Sequence, residues 1–182
     1  MGFFNEVWSL DGGHVIKVAR ARGPLRQPAS WLRRNRQEHE LVSCHMRVPC
    51  TYHVRVRDRR GRPMSVILQD RLHGRLLSEL SDEYLREPRV LPNLSEALRS
   101  LERAVQELGW LPDIIGGPPR WGLHDARNSN NLMVDDEGQV WLIDPGAFFF
   151  WFSTYNLVGR LYTTVLRRSA VRMLERLRRP RG

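Results

Sequence analysis

The sequence predicts an α+β fold in two unequal lobes. Residues 1–70 make a small β-sheet with one helix, and residues 71–182 make a mainly helical lobe that carries a β-hairpin. Three observations predict it. Short β-prone segments cluster near the start around an Asp11-Gly12 turn, the apolar periodicity becomes helical after Leu76, and a second β-hairpin near residue 140 runs into Asp144-Pro145-Gly146.

Val7 to Leu10 and His14 to Ala19 alternate around Asp11-Gly12-Gly13, which is a hairpin pattern. From Ala29 to Met46 the spacing of Trp31, Leu32, Leu41 and Val42 among charged residues predicts a helix, ended at Val48-Pro49. Tyr52 to Arg57 and Met64 to Gln69 read as two further strands about the Arg59 to Arg62 turn.

In the second lobe, Leu76 to Leu85 and Leu94 to Leu108 are expected as helices, with Gly116-Gly117-Pro118-Pro119 as a breaker. Leu132 to Val134 and Gln139 to Ile143 form the hairpin across Asp135-Asp136-Glu137-Gly138. Leu157, Leu161, Val165, Leu166, Met173, Leu174 and Leu177 trace one apolar helical stripe, with arginines on the other face.

A hydrophobic content of 41% and a charged content of 27% in 182 residues describe a globular chain with a real core. No apolar run reaches the roughly 20 residues needed to cross a bilayer. The start lacks the basic and apolar regions of a secretory signal, so a cytoplasmic location is expected. Cys44 and Cys50 are too few for a disulfide scaffold and are expected as thiols in a reducing compartment; a zinc site with His39, His45 and His53 is conceivable, but the spacing matches no structural zinc pattern. A net charge of +9 favours polyanionic partners, and the Arg167 to Arg181 tail is a candidate for weak polyanion binding or a solvated helix face.

Lys17 sits within an apolar strand, where an ammonium without an anionic partner would be costly. Glu38, or alternatively Glu40, can supply a carboxylate from the following helix. Asp144 ends one hairpin strand and Asp125 ends the loop before the other, so antiparallel pairing can bring both carboxylates to one sheet edge. Asn130 and Asn131 lie between them and can add an amide oxygen to a site for a hard metal ion. Each residue alone is also explained by an ordinary polar edge; their order along the chain is what suggests a phosphate and metal site.

Taken in that order, Val15-Ile16-Lys17-Val18, Glu38-His39-Glu40-Leu41, Leu68 to Gly74, His124-Asp125 with the two asparagines, and Leu142 to Gly146 resemble the protein-kinase-like superfamily. The likeness is to its aminoglycoside- and choline-kinase-like and small bacterial or phage branches, over roughly residues 2–146. The resemblance implies ATP and Mg²⁺ as cofactors. Lys17 would contact the α/β-phosphates, Glu38 would orient Lys17, backbone groups of Gln69, Asp70 and Arg71 would hold adenine, Asp125 would be the catalytic base, and Asp144 with Asn130 or Asn131 would bind the metal.

Several features depart from the pattern. Asn5 stands where the glycine-rich loop usually has glycine, and no residue separates His124 from Asp125. The five-residue spacing from Asp125 selects Asn130, whereas the start of the strand at Leu132 favours Asn131. Ala147 to Phe152 is strongly apolar where an activation segment would lie. An ATP- and Mg²⁺-dependent phosphotransferase acting on a protein or small-molecule hydroxyl is therefore expected. The alternatives are a catalytically degenerate kinase-like protein that binds a partner, and a basic nucleic-acid-binding module.

Overall fold

The computed structural model describes residues 5–19, 29–61, 63–116, 126–145 and 155–179. It is an α+β structure with two small antiparallel sheets and several helices. The first sheet comprises β1 (Asn5–Ser9), β2 (His14–Ala19), β3 (Thr51–Arg57) and β4 (Pro63–Asp70) in the order β1-β2-β4-β3. Asp11 makes the first turn as an Asx turn, its Oδ1 accepting from the amides of Gly13 at 2.8 Å and His14 at 2.7 Å. Helix α1 (Ala29–Ser43) lies between β2 and β3 in sequence, ending before the extended residues that enter β3.

The second sheet is β5 (Gly74–Leu76), β6 (Leu132–Asp135) and β7 (Val140–Leu142) in that order. Here the expected helix from Leu76 to Leu85 is corrected. Residues 74–76 are a strand paired with β6, Leu77–Glu79 make a 3₁₀ turn, and α2 is confined to Asp82–Leu85. Gly74 permits the strand, since a Cβ there would lie 2.3 Å from the Val134 carbonyl oxygen. Ser81 then starts α2 afresh by accepting the Tyr84 amide on its hydroxyl at 3.2 Å.

Helix α3 (Leu91–Leu108) carries Pro92 in its first turn, where a missing N–H costs nothing, and ends on Gly109 at φ +71°. Helix α4 (Leu157–Arg178) is started by Asn156, whose Oδ1 accepts the Gly159 amide at 2.7 Å. Its last carbonyls are capped by Arg86, which donates to Leu177 and Arg176, both at 3.1 Å.

Val42 and Met46 from the first half of the chain share one apolar core with Leu94 and Leu98 of α3, Leu132 and Leu142 of the second sheet, and Leu166, Met173 and Leu177 of α4. Each fully buried leucine contributes about 1.5–3 kcal/mol. The core therefore ties the region of α1 and the second sheet to the same helices, and the Leu142 amide also donates to the Arg47 carbonyl at 2.8 Å. On α4 the expected apolar stripe is corrected. Gly159, Leu166, Met173 and Leu177 face inward, whereas Leu157, Leu161 and Val165 are exposed. Their common periodicity is helical, but they lie on opposite sides of the helix.

Candidate phosphate and metal site

Lys17 is paired on both sides, opposite Val7 of β1 and Ile67 of β4, which holds its backbone in the interior of the first sheet. Its side chain is only 7% exposed, and Nζ donates to the Ile143 carbonyl at 2.8 Å, 126 residues along the chain. The same carbonyl accepts from Gln69 Nε2 at 3.1 Å, and that amide nitrogen is within 3.0 Å of Thr51 Oγ1. The first sheet thus reaches the end of β7 through two side chains, one of them cationic.

Ile143 leads into Asp144, and Asn131 brackets this pair. The Ile143 amide donates to the Asn131 carbonyl at 2.8 Å, and Asn131 Nδ2 donates to the Asp144 carbonyl at 3.3 Å and to the Asp113 carbonyl at 2.7 Å. Asn131 is buried. Gly116 stands against its amide: at φ +69°, a Cβ on Gly116 would be 2.4 Å from Asn131 Oδ1. Asn130 is turned elsewhere, its Oδ1 accepting from Ser78 Oγ at 2.8 Å. The structure therefore joins Asn131, and not Asn130, to Asp144.

Sequence reasoning missed two residues at this place. Asp113 accepts the Ile115 and Gly116 amides on Oδ1, both at 3.0 Å, and so shapes the loop that presses on Asn131. Burial pushes its carboxyl up to about 7 against those two hydrogen bonds, and the nearby Asp144 charge adds to the rise. The second is His39, one turn before the buried Val42 on α1. Burial lowers its pKa, the Pro49 backbone opposes this, and the Lys17 charge lowers it further. Its Nε2 is buried with no hydrogen-bond partner among the described residues, and its ring lies 5.9 Å from that of His53. Spacing from Val42 on the helix was the available signal for His39; for Asp113 the sequence offered none.

Glu38 is half-buried on α1, and Glu40 faces outward in an ion pair with Arg36 at 2.7 Å. The amides of Asp70 and Arg71 donate to the carbonyls of Cys50 and Gly13 at 2.9 and 2.8 Å, so these two donors serve the sheet. Gln69 is buried and points its side chain at Ile143. Asp125, His124 and the Ala147 to Phe152 stretch lie outside the described residues. Cys44 and Cys50 are exposed thiols, and no group of three metal-ligating His, Cys, Asp or Glu side chains occurs among the described residues.

The donors that are described suit a hard cation and a phosphate. Asp144 carries a carboxylate, Asn131 an amide whose nitrogen donates to the Asp144 carbonyl, and Lys17 a charge whose hydrogen bond is to a neutral carbonyl. The Asn131 amide packs directly against Gly116, in the place a Cβ there would take.

No family model matches the sequence, and no curated protein matches it. Among solved structures the chain is similar to monomeric WbdD, at 20% identity over 77% of this chain and 31% of that one, with a TM-score of 0.38. It is also similar to the bifunctional kinase-methyltransferase WbdD, at 17% identity over 93% of this chain and 42% of that one, with a TM-score of 0.36. The chain thus spans less than half the length of either.

Proposed function

We propose that this chain is a kinase-like phosphotransferase that binds ATP with Mg²⁺ and acts on a hydroxyl of a protein or small molecule. The observation that carries this reading is Lys17. A buried ammonium whose hydrogen bond goes to a neutral carbonyl is costly in isolation and becomes favourable beside an anion. It reaches the Ile143-Asp144 segment, whose Asp144 carbonyl accepts from Asn131 Nδ2, so the two residue types that suit a hard metal ion are neighbours there.

In this reading Lys17 holds the α/β-phosphates, and Asp144 and Asn131 hold the metal. Bound Mg²⁺ would neutralise charge on the β- and γ-phosphates. Asp113 and Gly116 keep the Asn131 amide in place. Asp125 positions the acceptor hydroxyl and takes its proton, and adenine is read by backbone near Gln69 to Arg71 other than the two amides already bound in the sheet.

One observation favours the catalytically degenerate reading. The kinase pattern places the metal-binding asparagine five residues after the catalytic aspartate. Counted back from Asn131, that position is Ala126, a fully buried apolar residue. Under this reading the site holds nucleotide and metal for binding and transfers nothing.

The test is thermal stabilisation by ATP with and without Mg²⁺, for the native chain and Asp144→Ala, followed by release of the γ-phosphate in the native chain and Asp125→Asn. Magnesium-dependent stabilisation lost in Asp144→Ala supports the site. Turnover lost in Asp125→Asn supports the enzyme, and binding without turnover supports the degenerate reading. A folded protein with no shift at saturating nucleotide sinks both.

A further inference from the structure

Helix α4 carries a second stripe that neither the core nor the candidate site uses. Leu157, Leu161, Val165, Arg168 and Arg172 follow one another at spacings of four, four, three and four residues, which aligns them on a single face for about 22 Å. That face lies opposite the buried Gly159, Leu166, Met173 and Leu177. Leu157 is 72% exposed, Leu161 59% and Val165 48%, with Val158 beside them and Tyr155, 88% exposed, at the same end. The apolar surface continues on the flank at Val171 into a cleft of about 200 Å³ between α3 and α4.

The charges around this stripe are almost all of one sign. Arg160, Arg168 and Arg172 are exposed, while Arg167 pairs with Glu102 and Arg176 with Asp82. Glu175 is the one carboxylate on the helix. Exposed leucines followed by exposed arginines on one face match a surface that is apolar within and anionic at its rim. A helix of this kind lies in the plane of a bilayer, with apolar side chains below the headgroups and guanidinium groups at phosphate level. No helix among the described residues is long and apolar enough to cross a membrane, so the contact is with its surface.

We propose that the outward face of α4 docks on an anionic lipid bilayer, with Leu157, Leu161 and Val165 entering the interface and Arg160, Arg168 and Arg172 meeting lipid phosphates. Charge complementarity selects this occupant: a second copy carries the same net charge of +9 and the same arginine-rich helix, and nucleic acid would leave the exposed leucines without a role. This inference stands apart from the nucleotide site.

The test is co-sedimentation of the full chain with vesicles of phosphatidylcholine alone or mixed with phosphatidylglycerol, at low and high salt. The expected result is binding to the mixed vesicles that weakens with salt. In Leu157→Ser/Leu161→Ser the partition coefficient should fall by at least about tenfold, and in Arg168→Glu/Arg172→Glu binding should be lost together with its salt dependence. Both pairs alter exposed side chains, and an unchanged melting temperature certifies the fold. Absence of vesicle binding overturns the proposal. So does binding that the leucine pair leaves unchanged, which is adhesion by charge alone and which a nucleic-acid probe would share. A dimer in light scattering that the leucine pair dissociates, without vesicle binding, assigns the face to a second copy and also overturns it.

Discussion

Lys17 donates its Nζ hydrogen to the carbonyl of Ile143 at 2.8 Å, joining the first sheet to the residue before Asp144. In Lys17→Met the apolar stem is retained and the buried charge removed. The melting temperature without ligand is expected to hold or rise, since desolvation of the ammonium no longer opposes folding. The stabilisation by ATP and Mg²⁺ is expected to vanish. A variant that keeps the nucleotide shift would remove Lys17 from the site.

Asn131 and Asn130 are expected to separate cleanly. Asn131→Ala removes hydrogen bonds to the Asp113 and Asp144 carbonyls in a buried place, at about 1–3 kcal/mol by chemical denaturation. It should also abolish magnesium dependence. Asn130→Ala loses only the exposed contact with Ser78 and should change stability by no more than about 0.5–1.5 kcal/mol, with magnesium response intact. Equal effects would contradict the geometry.

Gly116→Ala places a methyl group against Asn131 Oδ1 at a positive φ. About 1–3 kcal/mol of destabilisation is expected from the backbone conformation alone, together with a weakened magnesium response because the amide must move. Gly12→Ala, where nothing lies within 4 Å of the new Cβ, is the control and should leave that response untouched.

The pH dependence of stability contains two opposed slopes. Asp113, raised to about 7 chiefly by burial, binds more protons folded than unfolded between its ordinary value of 3.8 and 7, so its contribution falls as pH rises through that window. His53, lowered to about 4 by burial and then by His39, binds fewer protons folded than unfolded between 4 and its ordinary 6.5, so its contribution rises with pH there. Asp113→Asn should therefore leave a stability that climbs from pH 4 to 6.5. His53→Gln should leave one that declines toward pH 7. Denaturant midpoints measured across that range decide it, and two parallel profiles would refute both assignments.

The strands and long helices were legible because each depends on local pattern. The Asp11 turn, the β6–β7 hairpin, the leucine spacing of Leu94 to Leu108 in α3, and the 3.6-residue period of α4 all act within a few residues of themselves. The expected helix at Leu76 failed because residues 74–76 pair with β6, a partner more than fifty residues away that local propensity cannot register.

The sequence by itself determined the residue types on which the proposed phosphate and metal site rests and their order along the chain, from Lys17 to Asp144. Only the tertiary structure decided that Asn131 joins Asp144 while Asn130 turns to Ser78, that Asp113 lies beside Asn131, and that Leu157, Leu161 and Val165 of α4 face outward. The physical reason is that periodicity specifies a face but not its neighbour. Which side of α4 is buried depends on α3 and the core beneath it, and which amide meets Asp144 depends on a loop that Gly116 lets pack against Asn131.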